Sequence, residues 1–388
     1  MGTRHALHVP FTRCWHKSNG SPERRGLSLA ATFLNLLQVS SSSHTAPLKH
    51  ALLRDLLKRV SRLFYTTLVV VPRSVRDQVS LAYLFARAAD TIADTDLIDR
   101  PQRLRFLQQF KGQFAEDQAC WDEVRAIQTV LIPCQTNSAE RSLLERLEDC
   151  FRLYLNLSPE DRTRVRRLMT TLIKGMEMDL ALFPGDSARH LTALKTMADL
   201  DQYTYFVAGC VGEFWTDLMC GHLSSLSQWN VTDMVRIGVR FGKGLQLTNI
   251  LKDLSLDLQR GRCYVPEPML REAGLAPTDL LKKDVLPAFR PVLKRLVAVA
   301  MEHLDQGWLY TMAIPRREVR LRLACMWPIL SAGETLRLVL SSPNLLEPSV
   351  TLKISHSQVY RIIALTTFTG GCGWVGTAYW GRLRKQVV

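Results

Sequence analysis

The stretch SLAYLFARAADTIADTD, residues 80 to 96, decides the fold class of this 388-residue chain. Residues 81 to 89 are apolar almost all round apart from Arg87, and a helix with that pattern is buried in a core. Asp90 and Asp94 follow one turn apart on the same face, where two carboxylates repel at a cost of about 0.2–0.5 kcal/mol. A solvated acidic face explains most isolated pairs of this kind. At the end of a buried helix, a bound divalent cation is the more economical explanation.

A second stretch, GKGLQLTNILKDLSLDLQRGRCYVP at residues 242 to 266, repeats the pattern. Asp253 and Asp257 are again one helical turn apart, and Gln246 and Asn249 precede them at helical spacing. Hard oxygen ligands of this kind suit magnesium, while guanidinium and ammonium groups suit phosphate oxygens. The cations of the stretch are Lys252, Arg260 and Arg262. Surface salt bridging is the alternative explanation for each of them.

The rest of the chain predicts one large all-α domain, because apolar residues recur at helical spacing from about Pro47 to Ile363 and no strand is signalled. The predicted division is a disordered or transit-like extension at 1–45, a helical domain at 46–366 and a Gly-rich, then basic, tail at 367–388. Helices are predicted near 47–66, 74–96, 101–115, 119–132, 138–156, 158–184, 191–222, 229–258, 276–311, 316–341 and 353–366.

The composition narrows the partners and the location. A formal charge of +14 predicts an anionic partner, and the chain lacks zinc-finger spacing and a basic stripe interleaved with aromatic residues, so nucleic acid is not expected. Nine cysteines without a CxxC pair favour a reducing, cytoplasmic location. Ile362 to Gly381 carries no charge and precedes three cations, but its five glycines argue against a membrane span. A flexible tail in peripheral contact with a membrane is the expectation.

Five stretches, in this order, resemble the squalene/phytoene synthase family: SRLF (61–64), DTIAD (90–94), GMEMDL (175–180), DQYTYFVAGCVGEFW (201–215) and QLTNILKDLSLDLQRGRCYVP (246–266). The resemblance covers about residues 50 to 365. It implies a single isoprenoid-synthase-type helical domain around a central cavity. It also implies an enzyme that joins two isoprenoid diphosphates head to head.

The resemblance also implies roles for individual residues. Magnesium, or manganese in its place, is expected on Asp90, Asp94, Asp253 and Asp257, with Asp90 and Asp253 central to catalysis. Tyr83 and Tyr203 are expected to face the reacting carbons. The diphosphates and prenyl chains are expected to contact Ser61, Arg62, Phe64, Arg87, Gly209, Gly212, Gln246, Asn249, Lys252, Arg260 and Arg262. Close helix packing is the alternative explanation for Gly209 and Gly212.

The chain departs from the family at one position. Squalene synthases commonly carry a tyrosine immediately before V-A-G that is credited with proton handling, whereas this chain has Phe206 there and a tyrosine one residue earlier, at Tyr205. One residue turns a helical side chain by about 100°. The proton-handling role could therefore belong to Tyr205, Tyr203 or Tyr83.

The likeness to bacterial squalene synthases favours one reaction among several. Two farnesyl diphosphates would give presqualene diphosphate and then squalene, with hydride from NADPH. The chain has no GxGxxG fingerprint, so NADPH would bind without a Rossmann unit. Phytoene or dehydrosqualene synthesis without NADPH is the alternative. A terpene cyclase and a non-catalytic isoprenoid-binding protein are the remaining possibilities.

Overall fold

Helices make up nearly all of the regular structure, as predicted. The computed structural model describes residues 49–61, 64–95, 98–115, 118–369 and 373–387. The α-helices are α1 (Leu57–Ser61), α2 (Phe64–Val70), α3 (Arg73–Asp94), α4 (Arg100–Gly112), α5 (Trp121–Cys134), α6 (Ser138–Glu145), α7 (Leu147–Leu155), α8 (Pro159–Leu182), α9 (Met197–Thr204), α10 (Cys210–His222), α11 (Val231–Lys252), α12 (Leu254–Gln259), α13 (Glu267–Glu272), α14 (Leu286–Ala313), α15 (Val319–Ser341), α16 (His356–Phe368) and α17 (Gly373–Val387). Ala51–Leu56 and Tyr205–Gly209 are π-helical, and Ala188–His190, Ser224–Leu226 and Pro277–Leu281 are 3₁₀-helical. The predicted extension at 1–45 lies outside the described residues.

Local sequence explains where several helices begin. The Ser158 hydroxyl accepts a hydrogen bond from the Asp161 amide at 3.2 Å, and Pro159 takes the first position of α8, where no amide hydrogen is needed. Thr196 and Asp199 cap α9 reciprocally, as do Ser355 and Gln358 at α16. These caps satisfy backbone amides that have no partner within the helix.

The core is built around α3 and α11. From Val79 to Asp94 every residue of α3 is buried, and Phe85 packs edge-on against Phe114 with ring centroids 4.9 Å apart. Helix α11 packs against α10 on one side and α14 on the other. The aspartate pairs thus lie at the buried ends of two helices that contribute to the core.

The two aspartate pairs lie at helix ends. Helix α3 ends at Asp94, and α11 ends at Lys252 instead of continuing to residue 258 as predicted. Asp253 forms the junction with α12, yet its amide donates to the Asn249 carbonyl at 2.9 Å and its carbonyl accepts from the Asp257 amide at 3.0 Å. The one-turn spacing of Asp253 and Asp257 therefore survives the break.

A short parallel strand pair was not predicted. Strand β1 (Thr192–Ala193) pairs with β2 (Arg262–Cys263), and the Thr192 amide donates to the Gly261 carbonyl at 3.0 Å. Gly261 has a φ of 77°, and a Cβ there would lie 2.7 Å from the Ser187 carbonyl oxygen, so glycine is required. The bridge fixes Arg262 against the segment that follows α8.

The predicted flexible tail is wrong over residues 373–387, which form α17. Trp380 and Leu383 are buried, and the Trp380 indole donates to Asp305 Oδ1 at 2.9 Å. The Trp380 ring also stacks on Trp308 at 6.0 Å. A Cβ on Gly376 would lie 2.8 Å from the Trp308 ring. This glycine, which suggested flexibility, allows α17 to approach α14.

Helix α15 is the one described helix that is long and apolar enough to span a membrane. Within its most apolar 18-residue window, 78% of the residues are buried inside the fold. That burial is typical of a core helix.

Candidate active site

The first aspartate pair lies at the C-terminal end of α3. Asp90 and Asp94 are 2% and 7% exposed. A helix C-terminus carries partial negative charge, which adds to the repulsion between the two carboxylates. Asp94 Oδ2 is buried and accepts no hydrogen bond from the described residues. These carboxylates therefore need cations.

The second pair lies where α11 meets α12. Asp253 and Asp257 are 8% and 1% exposed. Lys252 Nζ lies 3.2 Å from Asp253 Oδ2, although this oxygen accepts no hydrogen bond of good geometry from the described residues. Gln246 and Asn249 are buried on the preceding turns of α11, and Arg260 is half-buried beyond α12.

Arg262 links the two pairs. Its Nη1 lies 2.8 Å from Asp179 Oδ2 and 3.9 Å from Asp94 Oδ1, and the side chain is buried. Burial lowers the pKa of Arg262, but the carboxylates of Asp179, Asp94 and Asp257, together with Tyr264, raise it well above its ordinary value. Arg262 thus lies against the first pair at Asp94, and the charge of Asp257 in the second pair also contributes to the raised pKa.

A small cavity opens beside Arg262. Its volume is about 10 Å³, and it is lined by Ala93, Asp94, Gly175, Met176, Asp179, Leu180, Tyr203, Val207 and Arg262. The Tyr203 hydroxyl donates to the Tyr264 oxygen at 3.2 Å, and the Tyr264 hydroxyl donates to Asp179 Oδ1 at 2.5 Å. The cavity thus has an apolar side and a polar side.

The other candidate tyrosines lie in different surroundings. The half-buried Tyr205 hydroxyl donates to Glu213 Oε2 at 3.1 Å, and burial together with Glu213 raises its pKa to about 12. Burial also raises the pKa of Tyr83, which lies near Arg87 and Asp90. Phe206 lies under Lys174, with the ammonium 4.9 Å from the ring centroid. Of the three tyrosines, Tyr203 is the one that lines the cavity.

Two residues that were predicted to contact substrate form bonds to other residues of the fold. The buried Arg87 forms an ion pair with Glu140 of α6, and the Ser61 hydroxyl donates to the Leu57 carbonyl at 2.7 Å. Burial lowers the pKa of Arg87, but the charges of Glu140 and Asp90 outweigh this effect and raise the pKa above its ordinary value. Arg62 and the side chain of Phe64 lie outside the described part of the chain.

The glycines of the V-A-G segment pack helices together. A Cβ on Gly212 would lie 1.9 Å from the Gly238 carbonyl oxygen, and one on Gly209 would lie 3.2 Å from the Val239 side chain. Both neighbours belong to α11. The geometry supports close packing of α10 on α11 over room for a prenyl chain.

Four residues of the site were missed in the sequence analysis. Asp179 and Tyr264 stand inside the quoted stretches GMEMDL and RCYVP, so the motifs themselves were the available signal. Arg103 donates to the Ala93 carbonyl at 3.5 Å and to Asp186 at 3.1 Å. Lys353 has its pKa lowered by burial and by Lys252, while Asp253 raises it. Nothing local marks Lys353, because its neighbours lie about 100 residues earlier.

The donors present fit magnesium. Buried carboxylate oxygens without hydrogen bonds, as on Asp94 and Asp253, are costly unless a cation balances them. Among the described residues, no three His, Cys, Asp or Glu side chains are close enough to hold a metal ion between them. Magnesium is usually held by one or two carboxylates together with substrate phosphates, and the two separated pairs match that pattern.

Several known proteins are similar to this chain in sequence. The squalene synthase of Eremothecium gossypii is 26% identical over 337 residues, which is 86% of this chain and 71% of the relative. Squalene synthase ERG9 of Saccharomyces cerevisiae is 24% identical over 316 residues, or 81% of this chain and 67% of the relative. A bifunctional lycopene cyclase/phytoene synthase of Pyrenophora tritici-repentis is 30% identical over 244 residues, which is 62% of this chain and 38% of that longer protein.

Several solved structures are similar to this chain in fold. A structure described as TcSQS with a ligand has a TM-score of 0.71 and 22% identity, covering 87% of this chain and 91% of that one. Squalene synthase HpnC from Alicyclobacillus acidocaldarius has a TM-score of 0.52 and 21% identity, covering 75% and 93%. The predicted likeness to bacterial enzymes in particular stays a prediction. The family model described as squalene/phytoene synthase matches residues 57–358, more than half of the sequence, and the chain belongs to this family of prenyltransferases.

Proposed function

We propose that the chain joins two farnesyl diphosphates head to head, through presqualene diphosphate, and reduces the product to squalene. The observation that carries the proposal is the buried Arg262, whose Nη1 lies 2.8 Å from Asp179 Oδ2 and 3.9 Å from Asp94 Oδ1 of the first aspartate pair. A site with this balance of charge suits a diphosphate neutralised by a metal ion. The fungal squalene synthases named above support the choice of reaction.

The site's own residues have distinct tasks in this proposal. The aspartates of both motifs hold magnesium, and manganese is the substitute; when bound, the metal neutralises charge on the departing diphosphate. Arg262 and Lys252 hold diphosphate oxygens. Met176, Leu180 and Val207 form an apolar wall that keeps water from an allylic cation. A cavity of about 10 Å³ holds about one water molecule, so these side chains must move when a prenyl chain enters.

Phytoene synthesis is the second candidate. The observation in its favour is the 30% identity to the bifunctional phytoene synthase of Pyrenophora tritici-repentis. The two reactions share the coupling step and differ in substrate length and in the use of NADPH. Dehydrosqualene synthesis combines the shorter substrate with no reductant.

The proposed location is cytoplasmic, with peripheral contact to a membrane. Phe368, the last residue of α16, and Trp374, the second residue of α17, are 85% and 75% exposed. Aromatic side chains of this kind are favoured at membrane interfaces. Sedimentation of the protein with phospholipid vesicles, but not of a Phe368→Ser/Trp374→Ser variant, is the expected result. Equal sedimentation of the two proteins would contradict it.

The deciding experiment supplies purified protein with magnesium and either farnesyl or geranylgeranyl diphosphate, with and without NADPH, and identifies the hydrocarbons. Squalene that appears only with NADPH supports the proposal. Phytoene from the longer substrate would favour the second candidate. A cyclic terpene would indicate a terpene cyclase, and the absence of product from both substrates would indicate an isoprenoid-binding protein without catalysis.

The metal assignment has its own test in Asp253→Asn. We expect kcat to fall at least about 100-fold, because the neutral amide removes charge stabilisation from the departing diphosphate. Asp233→Asn is the matched control, since Asp233 is an exposed residue of the same helix. Circular dichroism should report the same fold for both variants. Wild-type turnover in Asp253→Asn would exclude this residue as a ligand.

A further inference from the structure

Arg103 of α4 connects the end of α3 with the segment that follows α8. Its Nη1 donates to the Ala93 carbonyl at 3.5 Å, and its Nη2 donates to Asp186 Oδ2 at 3.1 Å. Ala93 directly precedes Asp94 of the first aspartate pair. The Arg103 side chain is 5% exposed and that of Asp186 is 66% exposed. Arg103 thus joins the buried end of α3 to a surface segment.

Residues 185–194 form that segment, the strap, which also holds the backbone around Arg262. The Thr192 amide donates to the Gly261 carbonyl at 3.0 Å. The Leu194 amide makes the equivalent bond on the other side of Arg262, also at 3.0 Å. Three carbonyl oxygens of the strap lie 2.7–3.2 Å from the position that a Cβ on Gly261 would take. Arg262 therefore moves only if the strap moves with it.

These contacts form a ring that passes through both motifs. It runs from Asp94 to Arg103, along the strap to Arg262, and returns across a gap of 3.9 Å between Arg262 Nη1 and Asp94 Oδ1. Guanidinium and carboxylate groups form hydrogen bonds at about 2.7–2.9 Å, so a shift of about 1 Å would pair Arg262 fully with Asp94. A carboxylate in such a pair has fewer lone pairs left for a metal ion.

We infer that Arg103 and Asp186 are positioning residues of the first aspartate pair, because the strap between them and Arg262 holds this guanidinium short of Asp94. The inference rests on the magnesium site of the proposed function. Neither Arg103 nor Asp186 lines the cavity, so both act through the residues that do. If the link from Arg103 to the strap breaks, Arg262 closes on Asp94 and competes with magnesium for its oxygens. A high magnesium concentration overcomes this competition by mass action.

The test uses Asp186→Asn and Arg103→Gln in the full chain, with circular dichroism to check the fold. We expect the apparent KM for magnesium to rise about fivefold in each variant, while kcat at saturating magnesium stays within about twofold of wild type. A second measurement needs no turnover. The dissociation constant of Mn²⁺ in the presence of inorganic diphosphate, measured by electron paramagnetic resonance, should rise by a similar factor.

The two variants separate a positional effect from a direct effect of charge. Loss of the Asp186 carboxylate would by charge alone weaken the binding of a cation, whereas loss of the Arg103 guanidinium would strengthen it. A broken link weakens binding in both variants. The double variant should need no more magnesium than the weaker single variant, because the two residues form one link. If Arg103→Gln does not fold, Arg103→Met removes the same charge and replaces it.

Glu177→Gln is the matched control. Lys111 Nζ lies 2.7 Å from Glu177 Oε1, so this ion pair also joins α4 to the α8 side of the site, but it does not involve the strap. The substitution removes one negative charge, as Asp186→Asn does. We expect the wild-type requirement for magnesium and the wild-type dissociation constant for Mn²⁺.

The outcomes separate this inference from the proposed function. If the wild-type protein couples farnesyl diphosphate and Asp186→Asn keeps the wild-type magnesium requirement, the positioning role is refuted and the proposed function stands. Opposite shifts in Asp186→Asn and Arg103→Gln, or an equal shift in Glu177→Gln, would also refute the role. If the wild-type protein forms no head-to-head product, the proposed function falls, and Mn²⁺ binding alone decides the role of the strap. If Mn²⁺ and diphosphate do not bind to the wild-type protein, both proposals fall.

Discussion

Buried charge governs the site at the scale of single residues. Arg262 is shared between Asp94 and Asp179, whereas Arg87 is committed to Glu140. A shared cation can exchange partners when a diphosphate arrives, while a fully paired one holds two helices together. Arg87 is therefore a structural residue of α3 in the described structure, and its predicted contact with diphosphate remains untested.

The Arg87 pair predicts a large loss of stability in Glu140→Gln. Removing one partner leaves a buried guanidinium without its carboxylate, which costs about 3–5 kcal/mol of unfolding free energy. We expect about 3 kcal/mol, because Asp90 is a second carboxylate near Arg87. Urea denaturation would measure the change.

Glu145→Gln, on the same helix, is the control for Glu140→Gln. Glu145 pairs with Arg141 at 3.1 Å, but both side chains are about half exposed. Such pairs contribute about 0.5 kcal/mol or less. If both variants lost the same unfolding free energy, the buried Arg87–Glu140 pair would contribute no more to stability than an exposed pair.

Sequence reasoning at this scale found the carboxylates and missed their partners. Asp90, Asp94, Asp253 and Asp257 are recognisable because each pair repeats at one-turn spacing within a short stretch. Asp179 and Lys353 reach the site from α8 and from the loop before α16. Contacts between segments so far apart depend on tertiary packing, which local spacing does not encode.

At the scale of elements, glycines set the separation of α10 and α11. Gly212 faces the Gly238 carbonyl, and a Cβ on Gly242 would lie 2.2 Å from the Ala208 carbonyl oxygen. Small residues let two backbones approach closely, and α11 carries the second aspartate pair at its end. The crossing therefore positions Asp253 as well as packing the core.

Gly212→Ala tests this crossing. The added methyl group would lie 1.9 Å from a backbone oxygen, so the helices must separate, and we expect a loss of about 3 kcal/mol in unfolding free energy. Gly112→Ala is the control, because nothing lies within 4 Å of a Cβ there and alanine favours a helix by up to about 1 kcal/mol. Unchanged stability of Gly212→Ala with altered KM would instead support a contact with the prenyl chain.

The contact between α11 and α14 predicts a pH dependence. Burial lowers the pKa of His303 from 6.5 to about 4, with further lowering by Arg240 and Lys243 and a smaller opposing effect of Asp201. Arg240 Nε donates to His303 Nδ1 at 3.4 Å, which agrees with a neutral ring. The unfolded chain binds this proton more readily, so stability is complete above pH 6.5 and falls as the pH drops toward 4.

His303→Gln should remove that part of the pH dependence. Denaturation midpoints measured from pH 7 to pH 4 should fall less steeply in the variant than in the wild-type protein. Identical slopes would show that His303 titrates normally in the folded state.

Helix prediction succeeded at this scale where patterns are long and failed where they are short. The break at Asp253 leaves the backbone hydrogen bonds at one-turn spacing, so periodicity cannot reveal it. Strands β1 and β2 contain two residues each, too few for an alternating pattern. Their pairing depends on Gly261, whose positive φ is invisible in the composition of the stretch.

At the scale of the whole molecule, α17 is part of the helical body. Tyr379 donates to Glu334 Oε1 at 2.6 Å, and Trp380 and Arg384 both bond Asp305 at 2.9 Å. The all-α class was predictable because apolar spacing persists over hundreds of residues. The docking of α17 was not, since its glycines suggested flexibility whereas Gly376 is needed for the close approach to Trp308.

Trp380→Ala should therefore destabilise the entire fold. Truncating a buried tryptophan costs about 3–5 kcal/mol, which thermal denaturation would detect. Trp374→Ala is the control within the same helix, because that side chain is 75% exposed and should change stability by about 0.5 kcal/mol or less. Equal effects of the two substitutions would mean that α17 is not docked in solution.

The burial of α15 has a consequence for biosynthesis. Gly333 of α15 lies against Trp380, so part of the most membrane-like helix is covered by a side chain that the ribosome adds 47 residues later. Until that segment emerges, the nascent chain displays an apolar surface that attracts chaperones and other nascent chains. Ribosome stalling between the two helices would thus be the most aggregation-prone moment in the synthesis of this protein.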